Sequence, residues 1–345
     1  MSKHRIELRA APHQHSGHSV PTIMRNVVYS LLPICGFSMW QYGLAALALL
    51  LTVTATCLAT ERLLNRNANT LGDWSAAITG ILLGLTLPPA FPLWMAIVAG
   101  FVAIAIGKAM FGGLGHNPFN PALVGRAFVQ AAFPVAITTW VPAFSANRFS
   151  EFVPTTFTAP LMMPPDIVGW VKQQGVDAFT GATPLARWKF ENVTASAHDL
   201  LTGTVTASAG ETSALLILLC GAYLAIRKFM DWRIPVAVLG SAALTAWAFQ
   251  LYDPAHYPAP IFVMLSGGLM IGAIYMATDM ATSPVTPVGV WIYGVIIGVM
   301  TVIIRYFGGL TEGVMYAILL GNALTPLIDQ YTQPRVYGTS RKEKP

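Results

Sequence analysis

The sequence predicts an all-α polytopic membrane protein, with about ten transmembrane helices in two inverted five-helix repeats. Three observations carry that expectation. The 345 residues are 54% hydrophobic and only 10% charged, with a mean hydropathy of +0.58, where a soluble domain carries roughly 25% charge. Apolar stretches of bilayer length recur along the whole chain. A tetrapeptide in the first half also returns in the second. The composition excludes an ordinary cytosolic enzyme, a disordered chain and a nucleic-acid binder, because each needs a more polar or more basic surface.

Residues 1–22 form a polar tail with no apolar core for a cleavable signal, predicted to be cytoplasmic. The first repeat, 23–137, holds spans at 24–42, 43–61, 73–89, 93–111 and 121–137. Its third and fifth spans are short and interrupted by Gly or Pro, which predicts bent or partly re-entrant helices. Residues 138–211 are the single large hydrophilic segment. The second repeat, 212–328, holds spans at 212–227, 234–252, 260–279, 287–305 and 309–327, and 329–345 form a second tail. Of the 20 basic residues, all but Arg148, Lys172, Arg187, Lys189 and Arg305 fall on one side of these spans. That bias predicts both termini in the cytoplasm of an inner-membrane protein, with 138–211 periplasmic.

Phe111-Gly112-Gly113-Leu114 recurs as Phe307-Gly308-Gly309-Leu310. At the same offset, Leu123-Val124-Gly125 matches Leu319-Leu320-Gly321. Upstream, Gly80–Gly84 resembles Gly268–Gly272, and Trp94 pairs roughly with Trp291. The two tetrapeptides follow helices leaving toward opposite sides, so the repeats are of opposite topology. Such repeats place a site at their interface.

Polar residues at membrane depth are the first functional candidates in so apolar a chain. Asp279, between Thr278 and Thr282-Ser283 and ahead of Pro284, reads either as an ion or proton stop or as a helix-end cap. The run from Gly112 to Pro121 is the densest set of helix breakers, with two Asn-Pro pairs. It reads either as a tight hairpin or as a polar-ligand site, where Asn117 and Asn120 stand near a helix start and Arg126 follows within two turns. Lys108, Arg126 and Arg305 lie at predicted span ends, where long side chains snorkel to the interface. No histidine falls in mid-span, and Cys35, Cys57 and Cys220 are scattered in apolar runs. Neither haem nor iron–sulfur ligation nor any other metal site is expected.

In the hydrophilic segment, Asp177-Ala178-Phe179-Thr180-Gly181-Ala182-Thr183 exposes a threonine ahead of Pro184, with little bulk beside it. The run resembles the D-x-x-[ST]-G-A-T flavinylation motif found in membrane components of two related redox pumps. These are the RnfD component of the Rnf complex and the NqrB component of the sodium-translocating NADH:quinone reductase. Ala178 stands where glycine is the commoner residue. The loop from Gly112 to Ala122 and the ending Thr325-Pro326-Leu327-Ile328-Asp329 with Pro334–Gly338 look like the same family. The resemblance runs over about 20–338, and the short N-terminus and the Pro-Arg-Val-Tyr-Gly ending favour the Rnf member.

The resemblance implies FMN held on Thr183 by a phosphoester, with Asp177, Thr180, Gly181 and Ala182 as the recognition motif of a flavin transferase. It implies a second, non-covalent flavin, probed first at Asn117, Asn120 and Arg126, and a riboflavin is expected there. It also implies an ion path, for which Asp279, Thr278 and Thr282 are the candidates. The expected function is a flavin electron relay across the membrane, coupled to Na+ or H+ movement between NADH and ferredoxin. The chain carries no NADH-binding or iron–sulfur motif of its own. Its expected partners are the other Rnf subunits, including a periplasmic-facing FMN subunit and iron–sulfur membrane subunits, together with lipid. The rival expectation is a solute or ion channel of the same inverted-repeat design.

Overall fold

A computed structural model describes residues 19–65, 70–173, 181–211 and 213–334. Helices and turns account for all regular structure among the described residues. In chain order the helices are α1 (Val20–Tyr42), α2 (Leu44–Leu64), α3 (Ser75–Thr86), α4 (Leu93–Ala105), α5 (Pro121–Ala132) and α6 (Pro134–Ile137). The hydrophilic segment adds α7 (Val168–Gln173), α8 (Pro184–Glu191) and α9 (Ala197–Thr202). Then follow α10 (Ala214–Ile226), α11 (Arg233–Tyr252), α12 (Pro260–Leu265), α13 (Leu269–Ile271), α14 (Pro287–Phe307) and α15 (Val314–Thr332). Gly272–Met276, directly after α13, is π-helical.

Local chemistry sets many of the starts. Proline opens α5 and α14, where a missing N–H costs nothing. Side-chain oxygens of Asn120, Thr183, Ser213 and Thr286 accept bonds from the free N–H groups of α5, α8, α10 and α14.

Five helices are long and apolar enough to cross a membrane: Val20–Tyr42, Leu44–Leu64, Leu93–Phe111 (α4 with the turns after it), Arg233–Tyr252 and Pro287–Phe307. The expected third and sixth spans shorten to apolar helices of 12 and 13 residues. The fifth breaks between α5 and α6 at Pro134, which cannot continue a helix. The eighth, expected at 260–279, is interrupted at Ser266-Gly267-Gly268. Five full-length apolar spans, rather than ten, are therefore the finding among the described residues: proline and glycine interrupt the fifth and eighth, α10 is only 13 residues long, and α15 runs 19 residues without the apolar composition of a span.

α2 packs on α3 and α4, and α4 on α5, in the first half. In the second, α11 packs on α14 and on the interrupted helix, and α14 on α15. Contacts of α1 with α10 and of α5 with α15 join the halves. Small residues allow the close approach: a methyl on Gly100 would stand 3.2 Å from Thr56, and one on Gly298 would stand 2.0 Å from Ser241 Oγ. Outward-facing Leu51, Phe101, Leu219, Leu244 and Val295 are exposed, an apolar surface suited to lipid.

The two Phe-Gly-Gly-Leu copies do not fold alike. Gly112 and Gly113 adopt φ of +106° and +100°, whereas Gly308 is extended at φ −75°. The first copy turns into a loop and the second caps α14, so their shared letters do not make a shared turn. Gly125 and Gly321 do play parallel parts. Each packs its helix onto the one before it, against Ala99 and Ala103 in one case and Tyr293 and Ile297 in the other.

The segment 138–211 is anchored at the ends of α1 and α3. Gln41 Nε2 donates to the Gly203 and Val205 carbonyls at 3.0 Å, and the Tyr42 hydroxyl donates to the Ala207 carbonyl at 2.9 Å. Residues 207–211 are all buried, and Ala209 N and Gly210 N donate to the Leu87 and Leu85 carbonyls at 3.1 and 2.6 Å. The last residues of this hydrophilic segment thus enter the bundle, because the free carbonyls at the end of α3 need donors.

Lys108, Arg126 and Arg305 do not snorkel. All three are buried, at 3%, 6% and 1% exposure. Lys108 Nζ lies 2.5 Å from Glu61 Oε1 and from Ser75 Oγ. Arg126 donates to the Thr86 carbonyl, and Arg305 to the Val263 and Ser266 carbonyls at 2.6 and 3.0 Å. Each cation meets a polar group inside the bundle, which removes any reason to reach for the interface.

Candidate functional site

The chemistry gathers at two ends of the bundle. Thr183, together with Leu44, whose N–H donates to the Arg148 carbonyl, marks the end that carries the hydrophilic segment. The start of α1 and the end of α2 mark the other.

At that second end, a cavity of about 90 Å³ opens between the two halves. Asn117, Asn120, Thr278 and Asp279 all line it, with Lys108 and Ser75. The sequence divided the first four between a ligand site and an ion path, whereas the fold puts them in one place. Asn120 explains how. Its Oδ1 accepts from Ala122 N at 3.0 Å and Leu123 N at 3.4 Å, starting α5, while its Nδ2 donates to the Met276 carbonyl at 3.2 Å. It thereby fastens the breaker loop to the end of the π-helical turn, a geometry found most often at functional sites. Asn117 Nδ2 donates to the Phe119 carbonyl at 3.1 Å, closing the loop on itself.

Asp279 caps its turn, one of the two readings open to it. Its Oδ1 accepts from Ala281 N at 3.3 Å, and its Oδ2 from the Thr282 hydroxyl at 3.5 Å, which caps the turn. It also faces the cavity. Thr278 donates to the Ile274 carbonyl at 2.6 Å. Thr282 is buried and does not line the cavity. Arg126 is not there either, since it is committed to the end of α3.

Sequence reasoning did not single out Glu61 or its pairing with Lys108. The available signal was a glutamate in the otherwise apolar run of α2. Glu61 is 1% exposed, and its Oε2 has no partner. Ser75 Oγ accepts from Lys108 Nζ and donates to Asp73 Oδ1 at 2.6 Å, so a polar chain runs from Glu61 to Asp73.

At the first end, Thr183 sits at the N-cap of α8 and is buried, at 3% exposure, rather than exposed as the small residues beside it predict, because its hydroxyl oxygen turns in to accept from Ala186 N at 3.3 Å. Gly181 and Ala182 precede it in the same turn, while Asp177 and Thr180 lie outside the described residues. Beside it, a cleft of about 650 Å³ is lined by Ala182, Pro184, Arg187, Thr194, Asp199 and Thr204, among others. A helix N-terminus favours an anion, and Arg187 one turn on, paired with Glu191 at 3.5 Å, lines the same cleft.

α8 is locked to the bundle. Lys189 Nζ donates to the Arg305 and Leu310 carbonyls at 3.0 Å and to the Gly308 carbonyl, closing the C-terminus of α14. Partial burial holds the Lys189 ammonium below the usual lysine range. Trp188 packs at a tilt of 53° on Tyr306, 5.3 Å between ring centres, and Tyr306 meets Tyr257 and Phe249 at 4.9 and 5.4 Å. Contacts of this kind contribute about 0.5–1.5 kcal/mol each beyond buried area.

Comparison with known proteins follows the same lines as the geometry. The sequence model of the NQR2, RnfD, RnfE family matches residues 7–338. The D subunit of the proton-translocating ferredoxin:NAD+ oxidoreductase complex of Clostridium ljungdahlii is 38% identical over 354 residues, covering 99% of this chain and 98% of that one. The D subunit of the Na+-translocating ferredoxin:NAD+ oxidoreductase complex of Acetobacterium woodii is 38% identical over 351 residues, covering 100% and 99%. The D subunit of an ion-translocating oxidoreductase complex from Halorhodospira halophila is 38% identical over 360 residues, covering 98% and 97%.

Proposed function

The chain belongs to the NQR2, RnfD, RnfE family, membrane subunits of redox-driven ion-translocating complexes, and from that premise we propose that it carries FMN on Thr183 and relays electrons across the membrane. The observation that supports this most directly is the position of Thr183 at the N-terminus of α8, next to a cleft of about 650 Å³. That volume is within the roughly 300–1,000 Å³ of pockets that take drug-sized ligands.

The residues suit a phosphoester. Thr183 Oγ would hold the phosphate, the free N–H groups at the start of α8 and the Arg187 guanidinium would stabilise its charge, and Ala182 and Pro184 would wall the ring. When bound, the flavin supplies electron transfer. The polypeptide supplies position: Lys189 and Trp188 fix α8 on α14, so the label is held at a set place on the bundle. The bond from Ala186 N is long, and giving it up costs about 0.5–1.5 kcal/mol, so the hydroxyl is released cheaply for modification.

A second flavin, riboflavin, belongs in this reading at the cavity between the halves, held by Asn117 and Asn120. The present void is small for a tricyclic ring. Three of its wall residues, Met24, Met230 and Met280, are flexible thioethers that can move aside. Asp279 and Thr278 on the same wall would then place the ion path next to the electron path, with Thr282 behind them. The relatives include one proton and one sodium translocator of equal identity to this chain, so overall identity does not choose the ion.

Ten crossings in two inverted five-helix repeats, over 23–137 and 212–328, remain part of the proposal. Support comes from the parallel packing of Gly125 and Gly321, and from a cut third helix in each half, with its carbonyls met by an arginine. Both termini would be cytoplasmic, with 138–211 periplasmic, where the transferase acts. The partners would be the periplasmic-facing FMN subunit and the iron–sulfur membrane subunits.

The test is direct. The chain is co-expressed with its flavin transferase, denatured on a gel and viewed for flavin fluorescence. A fluorescent wild-type band and a dark Thr183→Val band support the reading. A dark wild-type band, with the transferase active on another substrate, overturns it in favour of a solute or ion channel.

A further inference from the structure

Glu211, on the buried stretch ahead of α10, and Glu312, on the loop between α14 and α15, converge from distant parts of the sequence. They meet across Gly268, in the break between α12 and α13. A methyl group on Gly268 would lie 3.1 Å from Glu211 Oε1 and 3.3 Å from Glu312 Oε2. Gly268 N donates to Glu312 Oε2 at 3.4 Å. The neighbouring Gly267, at φ +64°, brings the chain close to Glu312 Oε1 and Arg305 Nη2, with no room for a side chain. Leu185, two residues after Thr183, packs on the same glycine.

The two acids are 9% and 8% exposed. Each keeps one oxygen without a hydrogen-bond partner, Oε2 on Glu211 and Oε1 on Glu312. The fully buried hydroxyl of Ser208 faces the Glu211 carboxyl, also outside hydrogen-bond geometry, and Ser266 Oγ beside Gly267 is equally buried and unpartnered. Buried polar atoms of this kind are normally satisfied, and here two carboxyl oxygens and two hydroxyls around one point are not.

The charged neighbours do not meet it. Arg126 on α5 gives a bond to the Thr86 carbonyl, and Arg305 on α14 gives two to Val263 and Ser266 while its buried Nε reaches neither acid. Tyr42 on α1 also faces Glu211, but its hydroxyl donates to Ala207. The arginines act on the pair through their field alone. Two ionised carboxylates this close in a buried site repel, and neither has an ion-pair hydrogen to offset it. Burial first, and the Glu312 charge second, accordingly raise the Glu211 titration above the ordinary carboxylate range, against the opposing pull of Arg126.

We propose that Glu211 and Glu312 form a carboxyl–carboxylate pair that holds one exchangeable proton at the end of the bundle carrying Thr183. The ligand is a proton. A single O–H on one acid donates to the other, and a second oxygen accepts from Ser208. The pair takes up and releases that proton as a unit with two macroscopic steps, and no electron or other co-reactant is involved. The inference needs no flavin, although its location beside the Thr183 turn would let the charge at one be felt at the other.

The experiment is infrared difference spectroscopy on the purified complex, in light and heavy water. It is run in the wild type and again in a Thr183→Val background, so that the flavin reading is tested separately. The expected result is a protonated-carboxyl band at neutral pH that shifts in heavy water. Glu211→Gln should abolish it, and Glu312→Gln should shift it, because burial still keeps the proton on Glu211 once its partner's charge is gone. Glu312→Asp should shift it without abolishing it, which separates loss of the proton from loss of the fold. A band absent from the wild type, or unchanged in either glutamine variant, overturns the shared-proton pair.

Discussion

Asn120 Nδ2 donates to the Met276 carbonyl at 3.2 Å, and through that bond the breaker loop of the first half holds the π-helical turn of the second. Asn120→Ser keeps a capping oxygen for α5 and is too short to reach Met276. Asn120→Ala loses both. The serine variant should leave the Met276 carbonyl without this donor, at about 1–3 kcal/mol. The alanine variant should lose about 1 kcal/mol more from the cap. Thermal unfolding of the detergent-solubilised protein reads the two steps. Equal melting of both variants would mean that the bond to Met276 carries the whole effect.

Glu61 and Lys108 form a buried ion pair at 2.5 Å. Removing one partner strands a charge, so Glu61→Gln and Lys108→Met should each destabilise by about 3–5 kcal/mol, whereas the double variant should recover much of it. A double-mutant cycle measures the coupling. Additive single effects would show that the two side chains act independently.

Thr183→Val should cost about 1 kcal/mol, because the lost hydroxyl caps α8, and should leave the folded complex intact. Thr183→Ser should keep the cap. Assembly is read by size-exclusion chromatography alongside in-gel fluorescence. A valine variant that fails to assemble would make the threonine structural before it is functional.

Glu211 gives a pH dependence. The folded chain keeps a proton that the unfolded chain releases in the ordinary glutamate range, near ~4.3. The associated stability is complete below that value and is lost as pH rises through the raised folded value. The melting temperature should therefore fall toward alkaline pH, with a slope of at most about 1.4 kcal/mol per pH unit from this one group. Glu211→Gln should flatten that slope, as melting curves over a pH series would show. An unchanged slope would assign the dependence to other groups.

Gly267→Ala should destabilise by several kcal/mol, because φ +64° disfavours a side chain and the new methyl would stand 2.5 Å from Leu185. Limited proteolysis of the α8 region reports it, and protection equal to wild type would count against that packing.

Much of this was legible in residue order. The long apolar runs became α1, α2, α11 and α14, and the two Asn-Pro pairs marked the cavity loop. Asn117, Asn120, Thr278 and Asp279 were visible one by one as polar residues in apolar surroundings. That they share a wall was not, because the bond from Asn120 to Met276 spans 156 positions. Lys108, Arg126 and Arg305 were visible as cations near span ends, but the carbonyls and the carboxylate that hold them inside are set by tertiary contact. Glu211 and Glu312 lie at the margins of apolar stretches, where a lone acid reads as a solvated residue, and only folding brings them together. The repeated tetrapeptide misled in one respect, since the same letters turn in one copy and extend in the other.

The arginines at the two interrupted helices have a consequence for permeability. A helix cut short inside an apolar bundle leaves bare carbonyls, which attract small cations and invite a leak. Arg126 and Arg305 occupy those positions with fixed positive charge tied to the backbone. Such a charge repels a passing cation while leaving the helix ends satisfied. The two breaks are thereby held by charge as well as by hydrogen bonds. A small cation could use those carbonyls only by displacing a guanidinium.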